Sequence, residues 1–369
     1  MSQLPQKTLR ILIKAILLFI VFNYAFALVP DSVLWKISFY NTLWPGKTRF
    51  PSENDLDLMF DIHEIANSSQ RTNEYKVVLL GDSATWGYLL NPDETFSSLI
   101  NASGVPTCKG QTVHVYNLGY PSPFTLRDIM ILQRALSYKP DLIIWNVSLI
   151  SMLESKKDVE SNIIIRNNLA LTKNLVEQYN LETDLTGLEA SSPPGKTFLD
   201  RREEIARFIQ YQLNGIRWQA IGGEKVNKGY VRLSMNVSAN PVFANKGIRN
   251  YYVPPPTLDP KLLHLDILNA GIRMAGDIPM VIINQPIQAV NGKNSDIRYN
   301  MLYPRWVYDQ YRELMSAQSK QYGWHYFDLW NIIPPTQFTD TPFHRTVKGE
   351  QRFAKKMQNI ILKNACPGS

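Results

Sequence analysis

Ser83, His344 and Asp340 are the side chains of this sequence whose types and setting could carry covalent chemistry. Ser83 stands in "YKVVLLGDSATWGYLL", directly after an aliphatic run and between Gly81 and Gly87. A serine hydroxyl is a weak nucleophile at neutral pH and needs a base within hydrogen-bond reach. Near the other end, "FTDTPFHRTVKGEQRFA" places His344 shortly after Asp340. In such a pairing the carboxylate orients the imidazole and stabilises the imidazolium formed when it takes the serine proton. The chemistry would be acyl transfer through a serine ester. The plainer reading makes Ser83 a helix-capping turn residue, and Asp82 beside it stabilises the turn rather than reacts.

The elements around these residues must bring distant parts of the chain together. Lys76 to Leu80, apolar after its first residue, reads as a strand buried on both faces of a parallel sheet. In open parallel sheets functional groups gather beyond the carboxyl ends of strands, where a tight turn through Gly81 and Asp82 would present Ser83. A helix near Glu94 to Ile100 follows, then a strand in "HVYNLGYPS" ending at Gly119. The next helix begins at Thr125, with Thr125 and Asp128 resembling a capping box and Ile129, Leu132 and Leu136 forming an apolar stripe. Asp141 to Val147 is a further strand. The alternation predicts a doubly wound α/β sheet. It breaks down between about Tyr179 and Pro260, an insertion that contains the amphipathic "RREEIARFIQYQLNGI" and could serve as a lid. The core pattern resumes with a helix over Lys261 to Ala275, a strand over Ile278 to Pro286, a helix over Pro304 to Tyr322 and a strand over Trp324 to Trp330. A final helix after Val347 sets Phe353, Met357, Ile360 and Ile361 on one face. His114, His325 and Asp328 fall inside strand patterns and read as structural.

Taken together, the segments resemble the SGNH hydrolases, also called the GDSL esterase/lipase-like superfamily. "GDSATWG" is similar to that family's first block, "NLGYPS" (Asn117 to Ser122) to its second, and "DTPFH" with Gly349 and Ala354 to its last. The resemblance spans about Tyr75 to Ile361 outside the insertion. It implies a three-layer α/β/α sandwich of flavodoxin-like type, with Ser83, Asp340 and His344 as a catalytic triad. It also implies an oxyanion hole built from the N–H groups of Ser83 and Gly119. The family's third block, Gly-x-Asn-Asp, is missing after "LIIWNVSLIS"; Asn146 is the nearest amide and a candidate third donor, with Ser148 or a backbone N–H as alternatives. Three residues separate Asp340 from His344, where the family often has two. Trp86 and Tyr88 are candidates for lining a substrate pocket or for packing.

The 369 residues, 44% of them hydrophobic, suffice for one large α/β domain with an insertion. A net charge of +7 without a basic block beyond the N-terminus fits an ordinary basic surface or attraction to anionic envelope material; no nucleic-acid motif is present. The five histidines are scattered, and neither a metal site nor a cofactor is called for. Cys108 and Cys366 could form one disulfide or remain two thiols. Lys7, Arg10 and Lys14 precede an apolar run to Val29, about the length of a membrane-spanning helix, which predicts a cytoplasmic N-terminus and an exported body. Ala25-Phe26-Ala27 leaves a cleaved signal peptide as the alternative. The aromatic stretch from Leu34 to Trp44 suits the outer membrane interface.

The chain thus divides into an anchor or signal segment (1–30), a lead-in (31–74) and a hydrolase-like domain (75–365) with its insertion at about 179–260. The function expected is a membrane-anchored serine esterase acting through an acyl-enzyme on O-acyl groups of an envelope glycan or lipid. An O-acyltransferase using the same triad and a non-catalytic glycan-binding protein are the alternatives. Oligomeric state has no signature in the sequence.

Overall fold

Val77 to Leu80 show why an unbroken aliphatic run forms the centre of this protein. Side chains alternate across a strand, and here Val78 and Leu80 enter one apolar cluster while Val77 and Leu79 enter another. Both faces are covered, so no position can be polar. The computed structural model describes residues 6–29, 47–50, 56–153, 156–188, 195–220, 257–292 and 294–367. The expected aromatic stretch from Leu34 to Trp44 and much of the insertion lie outside them. The chain forms two units, Met1–Pro45 with Glu189–Gly223, and Gly46–Leu188 with Glu224–Ser369.

In the first unit, α1 (Gln6–Phe26) is long and apolar enough to cross a membrane or to act as a signal sequence. The helix expected inside the insertion is also present there, over Arg202–Ala220.

The second unit holds the sheet. After α2 (Leu56–Ile62) come β1 (Glu74–Leu80), α3 (Ser83–Trp86), α4 (Phe96–Ser103), β2 (Thr112–Asn117), α5 (Thr125–Ala135), β3 (Leu142–Val147) and α6 (Leu169–Tyr179). The first unit's helix Arg202–Ala220 is α7. Then follow α8 (Leu265–Ala275), β4 (Met280–Asn284), α9 (Arg305–Tyr322), β5 (His325–Asp328) and α10 (Val347–Ala365). All strand pairs are parallel, in the order β2-β1-β3-β4-β5, with Val77 opposite Leu142 and Ile144 opposite Val281. This is the doubly wound α/β sheet that the alternation predicts, and its strand order reverses between β1 and β3. The crevice at such a reversal is where open sheets bind ligands.

Helices cover both faces. On one side Ile129 and Leu132 of α5, Ile267 and Leu268 of α8 and Tyr308 and Tyr311 of α9 pack with Ile143, Trp145 and Ile282. Gly271 of α8 lets this layer close, because a Cβ there would clash with Trp145. On the other side Phe96 and Ile100 of α4 meet Phe353, Met357, Ile360 and Ile361 of α10, the stripe expected from the sequence. Each such side chain contributes about 1.5–3 kcal/mol on burial, so Phe353→Ala would cost about 3–5 kcal/mol.

Strand ends differ from expectation by a residue or two, and within the stretch read as a lead-in Leu56–Ile62 forms a helix, followed by a 3-10 turn over Glu64–Gln70. The stretch read as a lead-in contributes Phe50, Met59, Phe60 and Ile65 to the larger core cluster. The capping box expected at Thr125 and Asp128 does not form. Phe124 is the cap, and Asp128 is drawn inward to Arg127 and the Trp145 indole N–H. Cys108 and Cys366 form a disulfide that joins the segment before β2 to the end of α10.

Candidate active site

The turn that presents Ser83 follows from its two glycines and its acid. Gly81 has φ 147, and a Cβ there would collide with Thr85 and stand 2.9 Å from the Asn146 carbonyl. Only glycine allows β1 to turn this sharply beside β3. Asp82 then caps α3 by accepting from the Ala84 N–H at 2.9 Å. Its other carboxylate oxygen accepts from Gln285 Nε2 at 2.6 Å. Ser83 is therefore the first residue of α3, beyond the carboxyl end of β1.

His344 arrives on a narrow loop before α10. The Thr339 N–H donates to the His344 carbonyl at 2.8 Å, and the Thr346 N–H donates to the Gln337 carbonyl at 2.9 Å. These bonds fold Asp340 back against His344. Asp340 Oδ1 lies 2.8 Å from His344 Nδ1, and His344 Nε2 lies 2.8 Å from Ser83 Oγ. With Nδ1–H donating to the carboxylate, Nε2 is left to accept from the serine hydroxyl. Burial pushes the Asp340 carboxyl up, but the hydrogen bond and charge of His344 and the Thr339 hydroxyl outweigh it and hold the group below the usual aspartate range. The three residues expected as a triad are thus in one hydrogen-bonded line, although 261 positions separate Ser83 from His344.

Sequence reasoning missed what fixes the two halves together. Arg345, fully buried next to His344, donates to the Ala84 carbonyl of α3 at 2.8 Å and pairs with Glu350 of α10. Glu350 also accepts from the Phe96 N–H at 2.6 Å. The guanidinium lies 4.5 Å from the Phe353 ring. Nothing in "HRTVKGE" marks its two outer charges as buried. Gln285 had a signal: like Asp82 it closes an aliphatic strand with a polar residue.

The groups expected for an oxyanion hole are placed differently. The Gly119 N–H donates to Asn117 Oδ1 at 3.1 Å, and a Cβ on Gly119 would lie 2.8 Å from the Trp86 nitrogen. Close packing against α3 accounts for this glycine. Asn146 donates to Thr85 Oγ1 at 3.0 Å, and its Oδ1 is buried without a partner. Ser148 caps the short helix after β3 and stands 3.4 Å from Asp82. Both side-chain alternatives are engaged inside the scaffold. The Ser83 N–H has no hydrogen bond among the described residues.

The two candidate aromatics separate. Trp86 is a packing residue, donating to the Phe50 carbonyl at 2.7 Å beneath the Arg49 guanidinium. Tyr88 is 42% exposed, and its ring lies 4.8 Å from the His344 ring. His114 pairs with Glu64, and Asp328 with Arg312, as structural residues do.

No family model matches this chain, and no curated protein matches it. Among solved structures it is similar to a provisionally assigned arylesterase from Agrobacterium tumefaciens, at 12% identity over 78% of this chain and 98% of that one. The TM-score is 0.33, a likeness too slight to carry a fold or an activity across.

Proposed function

We propose that this protein is a serine esterase of SGNH type that works through an acyl-enzyme. The observation that carries this reading is the unbroken line from Asp340 through His344 to Ser83, with both links at 2.8 Å. Ser83 Oγ attacks the ester carbonyl while its proton passes to His344 Nε2. Asp340 holds the ring and stabilises the imidazolium. The Ser83 N–H faces the developing oxyanion. His344 then protonates the leaving alcohol, and water, deprotonated by the same nitrogen, releases the acid.

The substrate we infer is an O-acyl group on an envelope glycan or lipid. Support comes from location: α1 suits an export signal or anchor, and a disulfide suits an oxidising compartment. The test is intact-mass analysis after exposure to a fluorophosphonate probe. Wild type should gain a single adduct, Ser83→Ala none, and His344→Ala one that forms at least about 100-fold more slowly, the scale of general-base assistance. A folded wild-type protein that takes no adduct would sink the esterase reading and favour a glycan-binding role.

A further inference from the structure

Helix α7 places its polar and apolar residues the wrong way round for a helix exposed to water. Gln212 is buried at 6% exposure, while Ile209 and Leu213 are 52% and 62% exposed. Ile205, Ile209, Leu213 and Ile216 recur at helical spacing and form one stripe. Leaving such a stripe in water forgoes about 25 cal/mol for every Å² of apolar surface.

The way the chain enters α7 indicates what covers the stripe. Phe198 packs against Phe22 and Phe26 of α1, with ring centroids at 5.2 and 5.5 Å. The Phe198 N–H donates to the Asn23 carbonyl at 3.3 Å, and the Leu199 N–H donates to Asn23 Oδ1 at 2.8 Å. Asn23 is buried within the otherwise exposed, apolar α1. An amide in such a span needs a partner, and here the loop before α7 supplies it. Helix α7 therefore begins beside the last turn of α1, at the level where the apolar span ends.

We infer that α7 is an interfacial helix whose Ile209 and Leu213 face, with Leu199 just before it, lies in the headgroup and acyl-chain boundary of the membrane that α1 crosses. The occupant of this face is lipid. The inference rests on reading α1 as a retained span, and it would hold residues 195–220 at the bilayer surface, as interfacial amphipathic helices are held.

The test uses the full chain in bilayer discs of phosphatidylcholine and phosphatidylglycerol. Single nitroxide-labelled cysteines replace Leu18, Glu203, Ile209 or Leu213, each a position exposed in the protein. Collision rates with oxygen, which concentrates in lipid, are compared with those of a water-soluble nickel chelate. The expected oxygen-to-nickel ratio is above one at Leu18, Ile209 and Leu213 and below one at Glu203. Ratios below one at Ile209 and Leu213, with Leu18 in lipid, would overturn the interfacial helix and leave the span intact. Ratios below one at Leu18 as well would remove the span, and the interfacial helix with it.

Discussion

The two sides of the Ser83 hydroxyl are built differently. Toward His344, side chains from opposite ends of the chain point at one another in a line, and Arg345 and Glu350 hold α3, α4 and α10 around them. Toward β2 and β3, the polar groups bond among themselves. His63 Nε2 lies 3.1 Å from the Asn117 carbonyl, Asn117 serves Gly119, Thr85 and Ser97, and Asn146 serves Thr85. On the proposed reading, the first side serves proton transfer. The second is a brace whose polar atoms keep the turn at Ser83 in place, and on the proposed reading it leaves the Ser83 N–H for an oxyanion. One polar cluster can thus look catalytic throughout while only half of it points at the Ser83 hydroxyl.

That division can be broken at Asp340, where the expected effect is largest. Asp340→Asn removes the carboxylate that selects the His344 tautomer, and kcat for a short-chain nitrophenyl ester should fall roughly 10²–10⁴-fold with the fold intact. A loss under about tenfold would show that this partly exposed acid does not work with His344. The depressed carboxyl also sets a sign. Its contribution to stability is present above the ordinary aspartate value of about 4 and is lost as pH falls below it, a slope that urea titrations of Asp340→Asn should lack.

On the brace side, burial lowers the His63 pKa from 6.5 to about 4 against the raising influence of Glu64. The neutral ring accepts from the Ile65 N–H and donates to Asn117. The unfolded chain binds the proton first, so stability is full above pH 6.5 and declines as pH falls toward 4. Denaturant titrations should show a loss of about 3 kcal/mol across that window, absent in His63→Gln. A wild-type curve as flat as the variant's would mean that the ring is not buried as described. Gly119→Ala should cost about 1–3 kcal/mol by forcing a methyl against the Trp86 backbone. If esterase activity falls instead while stability holds, Gly119 belongs to the reacting side.

The acid–base half was readable because its signals are local. An aliphatic run that stops at Gly81-Asp82-Ser83 marks a strand end, and an acid and a histidine on the loop before α10 mark the base. The sheet was readable for the same reason, since strands buried on both faces are almost wholly aliphatic, with their few polar residues, Asn117, Asn146 and Asn284, at or next to the carboxyl ends. What escaped was decided by burial and by which partner each group takes in the folded core, which no spacing rule reports. Asp128 looks like half of a capping box until Trp145 and Arg127 claim it. Gly119 looks like an oxyanion glycine until Asn117 takes its N–H and Trp86 occupies the space where a side chain would go. Arg345 and Glu350 look like surface charges because no spacing rule reports burial. The stretch before β1 is polar enough to pass for a tether, yet Phe50 and Phe60 are core residues.

The smallest expected effect separates the two sides most sharply. Asn146 is the amide expected from the sequence as a third oxyanion donor, and in that role it would be worth about 10²–10³-fold in kcat. Its amide instead meets Thr85 Oγ1, and its Oδ1 faces no donor in a buried site. Asn146→Ala would therefore remove one modest hydrogen bond, of about 1 kcal/mol, together with the burden of an unpaired carbonyl oxygen. The two changes oppose each other. Turnover should fall less than about tenfold and the melting temperature should shift little, as read by steady-state kinetics and calorimetry on the same sample. A kcat loss of 10²-fold or more at unchanged KM would mean that Asn146 leaves Thr85 and turns to the oxyanion in the transition state, and that the brace is part of the machinery after all.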